Sequence, residues 1–375
     1  MTRAEATVDL AALRANVARL RDASPSAQMM AVVKADGYGH GLVPCARAAL
    51  DGGAAWLGVA LLDEALLLRA AGIESRILAW LGTPDDAWSE CVASDIDLSA
   101  NAEWALAVIA AAARGHGRVA RVHLKIDAGL GRSGSTVADW PALVDAARSL
   151  QSEGVLDVVG IWSHLAYADE PNHPTVKKQA EVFEEALAYA ASRGLTPEYR
   201  HLANTAATLN SPQLHYDLVR PGIGVYGLSP GLATGRVEQL GLTPIMTLRG
   251  RFALVKRVLA GHGVSYGHEY VTERETTLGL VPLGYADGIP RSATNVGPVF
   301  AAGRRRIIAG RVCMDQFVIE LGDDHAEAGD EVVLFGSGAH GEPTAEDWAR
   351  VCDTIGYEIV TRIGPRVRRV YVGEH

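Results

Sequence analysis

The sequence has few cysteines, no long apolar run and no excess of basic residues. Its four cysteines, Cys45, Cys91, Cys313 and Cys352, include no CxxC pair. They argue against a disulfide framework or zinc site and predict reduced thiols in a cytosolic protein. No apolar run approaches the ~20 residues of a membrane span, and the start MTRAEATVDL lacks the apolar core of a signal peptide. With 35 Lys and Arg against 44 Asp and Glu, no broad nucleic-acid surface is expected.

The length of 375 residues favours two domains. In the first two-thirds, strand-like and helix-like stretches alternate. The first helix, DLAALRANVARL, places Leu10, Leu13, Val17 and Leu20 on one face behind Asp9 as a plausible N-cap. The strand candidates are AQMMAVVK, AAWLGVA, SRILAWLG, SDIDLS and residues 121–127, 157–164, 199–204 and 216–222. Eight strands separated by helical patterns predict a (β/α)8 barrel, an α/β fold.

After about residue 235 the sequence becomes rich in strand patterns separated by Gly and Pro, which predicts a second, mostly β domain. Its one strong helix, TAEDWARVCDTIG, begins with a Thr344/Asp347 capping box and is predicted to end at Gly356. We therefore expect a barrel over 1–235 and a β domain over 236–375, linked through 229–235. The first strand, at about 4–9, is a candidate to join the β domain.

Polar residues cluster where the predicted barrel strands end, which is where barrel enzymes place their catalytic groups. A single polar residue there is explained by a solvated loop edge, but at least five strands converge in this way. The residues concerned are Lys34, Lys125, Asp127, Arg132, His164, His201, Asn204, Thr205 and Arg220.

The stretch AVVKADGYGHG ends a buried-strand pattern on the amine of Lys34. Desolvation disfavours an ammonium and lowers the lysine pKa, so such an amine can form a Schiff base with a carbonyl. Lysines of this kind commonly hold pyridoxal phosphate. The glycine-rich loop RPGIGVYG, residues 220–227, offers backbone N–H groups for its phosphate. No helix follows this loop, so a dinucleotide fold is not expected.

These motifs together resemble the alanine racemase family, which is pyridoxal phosphate-dependent and combines an N-terminal (β/α)8 barrel with a C-terminal β domain. The resemblance spans about residues 4 to 371. Beyond AVVKADGYGHG, the matching motifs, in the family's order, are HLKIDAGLGRSG, SHLAYADE, HLANTAA, VRPGIGVYGL, GVSYGHEY, LGYADG and GRVCMDQ. Three residues depart from the family pattern: Thr205 replaces the usual serine, Ile289 a common aromatic residue and Ala128 a frequent threonine. The last two departures can tune substrate preference.

The resemblance implies a role for each matched residue. Lys34 binds the cofactor and is one catalytic base, and Tyr266 is the second base, supplied by the partner subunit of a homodimer. The cofactor contacts implied are Tyr38, Asn204, Thr205, Gly222, Ile223 and Tyr357 around the phosphate loop, His164 beside the ring and Arg220 at the pyridine nitrogen. Arg132 and the Met314 N–H contact the substrate carboxylate and the phenolic oxygen of the cofactor. The supporting residues implied are Lys125, often carbamylated in the family, Asp315, Tyr285, Arg311 and Asp169.

Racemisation requires an acid/base group on each face of Cα, and a lysine and a tyrosine can supply both. Arg220 cannot give its proton to the pyridine nitrogen, which predicts a weak electron sink and little transamination.

Simpler explanations remain open for several of these residues. Tyr266 could cap a hairpin, Tyr285 could only pack, and Lys125 could pair with Asp127. His164 and His201 could be hydrogen-bonded core histidines, and we assign His201 to that class. Residues 304–306, three arginines, are interpreted as a solvated strand edge.

We expect an enzyme that interconverts L- and D-alanine, supplying D-alanine for peptidoglycan in the cytoplasm as a homodimer without a metal ion. A racemase of broad specificity, or one acting on serine or basic amino acids, is the alternative. A decarboxylase and a non-catalytic pyridoxal phosphate carrier are weaker alternatives. A metal-dependent barrel hydrolase would have to use His123, His164 and His201.

Overall fold

The computed structural model describes residues 3–231 and 233–374. Within these ranges the strands are β1 Ala4–Asp9, β2 Gln28–Val32, β3 Trp56–Val59, β4 Arg76–Ala79, β5 Asp97–Ala100, β6 Ala120–Lys125, β7 Leu156–Trp162, β8 Tyr199–His201, β9 Leu218–Val219, β10 Met246–Arg251, β11 Leu254–Val258, β12 Gly263–Val264, β13 Tyr270–Val271, β14 Thr276–Val281, β15 Pro298–Ala301, β16 Arg304–Ile307, β17 Phe317–Gly322, β18 Glu331–Phe335 and β19 Arg368–Val372.

The helices of the same residues are α1 Leu10–Asp22, α2 Lys34–Tyr38, α3 Leu42–Asp51, α4 Leu62–Ala70, α5 Trp88–Ala93, α6 Glu103–His116, α7 Trp140–Ser152, α8 Pro174–Ser192, α9 Thr205–Asn210, α10 Val237–Leu240, α11 Ala345–Val351 and α12 Gly356–Thr361. Across the described part of the chain, none of these helices combines the length and the apolar character that a membrane crossing requires.

Strands β2 to β9 form a parallel barrel that is nearly closed. Their order is β8-β7-β6-β5-β4-β3-β2-β9, with β2 paired to β9. Between β8 and β9, the Arg220 N–H donates to the Ala203 carbonyl at 2.8 Å and the Asp217 N–H donates to the Arg200 carbonyl at 3.1 Å. The predicted (β/α)8 barrel is confirmed, although its eighth strand is only Leu218–Val219 and not the whole of 216–222.

Helix α1 follows β1 without a loop. The Asp9 carboxylate accepts a hydrogen bond from the Ala12 N–H at 3.0 Å, so this residue is the N-cap that the sequence indicated. The predicted apolar face is buried, including Leu13 and Leu20, which are fully covered. The cap and this apolar face together fix how the chain enters the barrel.

The C-terminal part is built mainly of antiparallel strands. Its largest sheet has the order β16-β15-β18-β10-β1-β19, and β11-β14-β17 and β12-β13 form two smaller sheets. Strand β1 lies between β10 and β19, with Ala4, Ala6 and Val8 buried. The first strand of the chain therefore belongs to this sheet and leads directly into the barrel.

The predicted helix over 344–356 is shorter than expected. The Thr344 hydroxyl accepts from the Asp347 N–H at 3.2 Å, as the capping box predicts. However, α11 ends at Val351, and Asp353 follows in a left-handed conformation with φ of 54°. Gly356 begins α12 instead of ending α11, so the prediction of its end was wrong.

The run of arginines at 304–306 occupies β16, an edge strand of the six-stranded sheet. Arg304 and Arg306 both pair with Asp324, and Arg305 pairs with Asp347 at 3.1 Å. These ion pairs account for the run as part of the sheet edge.

Candidate active site

A cavity of about 300 Å³ opens at the carboxyl ends of the barrel strands, a size that suits a small ligand. It brings together many of the residues that the sequence singled out. Its lining is Val32, Lys34, Tyr38, Trp80, Lys125, Arg132, Trp162, His164, Asn204, Thr205, Arg220, Gly222, Ile223 and Tyr357.

Lys34 begins an unusual left-handed turn directly after β2. Residues 35–38 all have φ between 53° and 59°. Three of these four residues carry a side chain, and the left-handed conformation costs each of them roughly 1–2 kcal/mol. The surrounding structure must therefore hold the turn in place.

Three groups hold this turn from outside. The Ala35 N–H donates to Glu64 Oε1 at 2.6 Å, and the Leu42 N–H donates to Asp36 Oδ1 at 2.8 Å. Arg369, on β19, donates two hydrogen bonds to the Gly39 carbonyl at 3.0 and 2.9 Å. The position of Lys34 thus depends on both the barrel and the C-terminal sheet.

Two lysines share the cavity, and both have a lowered pKa. Burial and then the charge of Arg132 lower the pKa of Lys34, against an opposing effect of Glu64. Burial, followed by the charges of Arg220 and Arg132, lowers the pKa of Lys125 to about 7. Both amines are therefore more available in the neutral form than a surface lysine.

Lys125 does not pair with Asp127. Its Nζ lies over the Trp162 ring, 4.1 Å from the ring centre. The Asp127 carboxylate instead accepts the N–H groups of Gly129 at 2.9 Å and Leu130 at 2.8 Å, and that of Gly131 at 3.0 Å. Asp127 thus orders the loop that leads to Arg132 at the cavity.

One corner of the cavity is formed by the loop after β9. The Thr205 hydroxyl accepts from the Gly222 N–H at 2.9 Å. A Cβ at Gly222 would lie 2.3 Å from the Tyr38 hydroxyl, so only glycine allows this tyrosine to approach the loop. Tyr38 also stacks on Tyr226 with ring centres 4.7 Å apart. The corner thus gathers hydroxyl and N–H groups suited to an anion such as a phosphate.

Arg220 also lines the cavity. Its Nη2 donates to the Ser163 carbonyl at 2.7 Å, and its Nη1 donates to His201 Nδ1 at 2.9 Å. The guanidinium also lies over Trp162, 4.8 Å from the ring centre. Burial, together with the charges of Arg220 and the other cations of the cavity, lowers the pKa of His164 well below its usual value, so this imidazole is neutral.

Two of the three histidines needed by a metal-dependent hydrolase, His123 and His201, are engaged with each other. His201 Nε2 lies 2.9 Å from His123 Nδ1. Both rings are buried, which places them in the class of hydrogen-bonded core histidines. Among residues 3–231 and 233–374, no group of three or more potential ligands is arranged to hold a metal ion. Nothing in this part of the chain therefore favours the metal-dependent alternative.

Four of the predicted residues do not line the cavity and instead form a second cluster on the β domain: Tyr266, Tyr285, Arg311 and Met314. Tyr266 is 72% exposed and Met314 54% exposed. The Ser265 hydroxyl donates to the Arg311 carbonyl at 2.7 Å, and the Tyr285 N–H donates to the Cys313 carbonyl at 3.0 Å. The cluster is therefore held by local hydrogen bonds and presents its side chains to the outside.

The remaining two predicted residues lie beside these sites. Asp315 pairs with Arg366 Nη2 at 2.7 Å. Burial and then the charge of Asp169 raise the pKa of Tyr357, which places this carboxylate near the cavity.

Sequence reasoning missed Trp80, Trp162 and Glu64. Trp162 stacks parallel to His201 with an interplanar angle of 5°, and Trp80 contacts Trp162 edge to face. Both tryptophans stand at the ends of predicted strands, in AWLG and GIWSH, so the strand-end rule that found the polar residues would also have found them.

A parallel barrel with polar side chains, a half-buried amine and a donor-rich corner at the carboxyl ends of its strands is typical of barrel enzymes. Comparisons with known proteins narrow this class. The alanine racemase N-terminal domain family matches residues 8–230, and the alanine racemase C-terminal domain family matches residues 245–371. The chain belongs to the alanine racemase family.

Individual relatives agree over the full length. An alanine racemase of Frankia casuarinae is 61% identical over 367 residues, covering 98% of this chain and 96% of the relative. The crystal structure of the alanine racemase from Streptomyces lavendulae is 59% identical, with a TM-score of 0.98 over 100% of this chain and 98% of the other. An alanine racemase of Clostridium difficile has a TM-score of 0.92 at 33% identity over 99% of this chain and 96% of the other.

Proposed function

We propose that this protein interconverts L- and D-alanine with pyridoxal phosphate as cofactor. The observation that carries the proposal is the half-buried Lys34 amine, with its lowered pKa, in one cavity with the donor-rich corner around Gly222. A carbonyl next to a phosphate group matches this pairing of a neutral amine with N–H and hydroxyl donors. Membership of the alanine racemase family supports the choice of reaction.

The cavity residues fit pyridoxal phosphate. Lys34 would hold its carbonyl carbon, and the corner formed by Tyr38, Thr205, Gly222, Ile223 and Tyr357 would hold its phosphate. Arg220 would donate to the ring nitrogen, with Asn204 and His164 beside the ring. When bound, the cofactor withdraws electrons from the substrate Cα and makes its proton acidic.

Moving the Cα proton from one face to the other requires two groups. Lys34 takes or gives the proton on one face, and the Tyr266 phenol does so on the opposite face. Tyr266 is exposed and does not line the Lys34 cavity of its own chain. We therefore propose that it reaches the site of a second copy of this chain, as a homodimer.

Substrate orientation is assigned to Arg132 and to the Met314 N–H, which would bind the carboxylate of alanine. The charge of Arg132 helps to lower the pKa of Lys125 to about 7. The neutral Lys125 amine could therefore add carbon dioxide and release a proton to solvent, and the resulting carbamate would orient Arg132. Asp315, Tyr285, Arg311 and Asp169 would support the second base and line the access route.

Arg220 retains its proton at neutral pH, because burial lowers the pKa of its guanidinium only to about 9. The ring nitrogen then accepts a hydrogen bond without gaining a proton, which limits electron withdrawal and should suppress transamination. We place the enzyme in the cytoplasm, supplying D-alanine for peptidoglycan, with the barrel and β domain dividing near residue 235.

The direct test is a chiral assay of the purified protein with pyridoxal phosphate. L-alanine and D-alanine should each approach an equal mixture, and serine and basic amino acids should react more slowly. Lys34→Ala is the control. It should abolish racemisation, and it should also abolish the attachment of the cofactor to the peptide that contains residue 34 after borohydride treatment. Unchanged enantiomers with wild-type protein, or cofactor fixed at another lysine, would contradict the proposal.

A further inference from the structure

The guanidinium of Arg220 is buried without a carboxylate beside it. Its hydrogen-bond partners in the described part of the chain are two carbonyls, Ser163 at 2.7 Å and Leu202 at 3.3 Å, and His201 Nδ1 at 2.9 Å. Burial of an unpaired positive charge is costly. Besides these two carbonyls, His201 is the side chain through which the guanidinium connects to further polar groups.

A line of side chains continues from His201 down the inside of the barrel. His201 Nε2 lies 2.9 Å from His123 Nδ1, and His123 Nε2 lies 3.3 Å from Asp97 Oδ2. Asp97 is the first residue of β5, whereas His201 is the last residue of β8. The line thus connects the cavity end of the barrel with the opposite end.

Asp97 is held as an anion at the far end of this line. Arg76 Nη2 lies 2.5 Å from Asp97 Oδ2, and Arg121 Nε lies 2.7 Å from Oδ1. Burial by itself would raise the Asp97 pKa, but the hydrogen bond from His123 and the charges of Arg76 and Arg121 outweigh it and hold the pKa below its usual value.

Donor and acceptor roles along the line follow from its two ends. Arg220 has only donors, so His201 Nδ1 must accept and its proton must lie on Nε2. His201 Nε2–H then donates to His123 Nδ1, and His123 Nε2–H donates to the Asp97 carboxylate. Burial lowers the pKa of both histidines, which agrees with neutral rings.

The barrel makes specific room for this line at Gly160. The register between β6 and β7 shifts between Val122 and His123, so that His123 lies opposite Gly160. A Cβ at Gly160 would lie 2.0 Å from His123 Nδ1, the atom that accepts from His201. A bulge and a glycine thus aim His123 at its partner.

We propose that His201, His123 and Asp97 are positioning residues for Arg220. Asp97 fixes the tautomers of the two histidines, and His201 holds one N–H of Nη1. A guanidinium N–H that is not taken by His201, Ser163 or Leu202 is then left for the ring nitrogen of the cofactor. The role assigned to the ring nitrogen rests on the proposed function, whereas the tautomers are a property of the protein alone.

The first measurement is nitrogen NMR of protein labelled at histidine, without cofactor. His123 and His201 should each carry a proton on Nε2 and none on Nδ1. A proton on Nδ1 of either ring, or a doubly protonated ring, would overturn the proposal. This result does not depend on whether the protein racemises alanine. A wrong tautomer assignment can therefore be distinguished from a failure of the proposed function.

Two variants disrupt the contact between His123 and His201 in different ways. Gly160→Ala displaces His123, and His123→Phe removes the acceptor of His201. In holoenzyme with ¹⁵N-labelled pyridoxal phosphate, both should shift the ring-nitrogen resonance and lower kcat about tenfold, as loss of an orienting group behind a functional side chain does. KM for alanine should change little, because Arg132 is untouched.

His215→Phe is the matched control. His215 is also buried and hydrogen-bonded, to the Thr208 carbonyl at 2.9 Å, but lies outside the line. The His215→Phe variant should be less stable than wild type but should keep the wild-type ring-nitrogen resonance and kcat. Wild-type resonance and kcat in the two cut variants, or an equal shift in His215→Phe, would overturn the proposal.

Discussion

Lys34 and Lys125 share one cavity, yet their charges are balanced differently. Glu64 partly offsets the effects of burial and Arg132 on Lys34, and its carboxylate also holds the turn that carries this lysine. Lys125 faces the charges of Arg220 and Arg132, while Asp127 is occupied by loop N–H groups. The residue types at the strand ends determine which reactions the site can support. Burial and the neighbouring charges determine how much of each amine is neutral.

The lowered pKa of Lys125 predicts a specific pH dependence of stability. Between its folded pKa of about 7 and the ordinary value of 10.5, the unfolded chain binds more protons than the folded protein. Stability therefore rises with pH in this window, by at most about 1.4 kcal/mol per pH unit. Urea unfolding in bicarbonate-free buffer should show this rise in wild type and a flatter profile in Lys125→Met.

Lys177→Met is the control for this experiment. The Lys177 side chain is 84% exposed, so its removal should leave the pH profile of the unfolding free energy as in wild type. Parallel profiles for wild type and Lys125→Met between pH 7 and 10 would show that Lys125 is not the source of the change.

We predict that the Thr205 hydroxyl first stabilises the loop after β9, by accepting the Gly222 N–H, and in this way supports binding of the phosphate. Thr205→Val keeps the shape but leaves the buried Gly222 N–H without its acceptor at 2.9 Å. We expect a loss of about 1–3 kcal/mol in the free energy of unfolding, and weaker binding of pyridoxal phosphate. Thr205→Ser should recover the cofactor affinity, and equal affinities of the two variants would contradict this role.

At the scale of elements, the left-handed turn after β2 joins the barrel to α12. Gly39, with φ of +80°, ends the turn, and a Cβ there would lie 2.5 Å from the Val360 carbonyl oxygen. Helix α12 also carries Tyr357, which lines the cavity. The turn and α12 therefore restrain each other, and a shift of one would displace the other.

Gly39→Ala should destabilise the protein by more than Gly72→Ala. Gly72 has nearly the same φ, +79°, but no atom lies within 4 Å of its added Cβ. Both variants carry the backbone strain of roughly 1–2 kcal/mol, and only Gly39→Ala must also move α12. Thermal unfolding and cofactor binding measure the difference, and equal losses in both variants would exclude the contact with α12.

The helices and strands also show how much of the fold and of the site could be predicted from the sequence. Alternation of strand and helix patterns was enough to predict the barrel, and the strand-end rule found Lys34, Lys125 and Arg220. The end of α11 was missed because Asp353 breaks the helix through its backbone conformation, which residue periodicity does not report. The contact between His123 and His201 joins residues 78 positions apart and depends on a strand-register shift, so local sequence could not predict it.

At the scale of the whole molecule, barrel and C-terminal sheets share structure through the chain ends. β1 lies between β10 and β19, and Arg369 on β19 binds the Gly39 carbonyl of the turn. The Tyr266 cluster nevertheless lies outside the cavity of its own chain. The two-base site that we propose would therefore need Tyr266 from a second copy of this chain, with two sites related by symmetry.

Subunit mixing tests this central claim most directly. Lys34→Ala and Tyr266→Phe should each lack racemase activity alone. After verified exchange of subunits, a hybrid dimer has one site with both lesions and one with neither. Random exchange gives about half hybrids, so about a quarter of all sites should recover activity. If Lys34 and Tyr266 acted within one chain, every site in the hybrid would keep one lesion, and the absence of recovery would contradict the account.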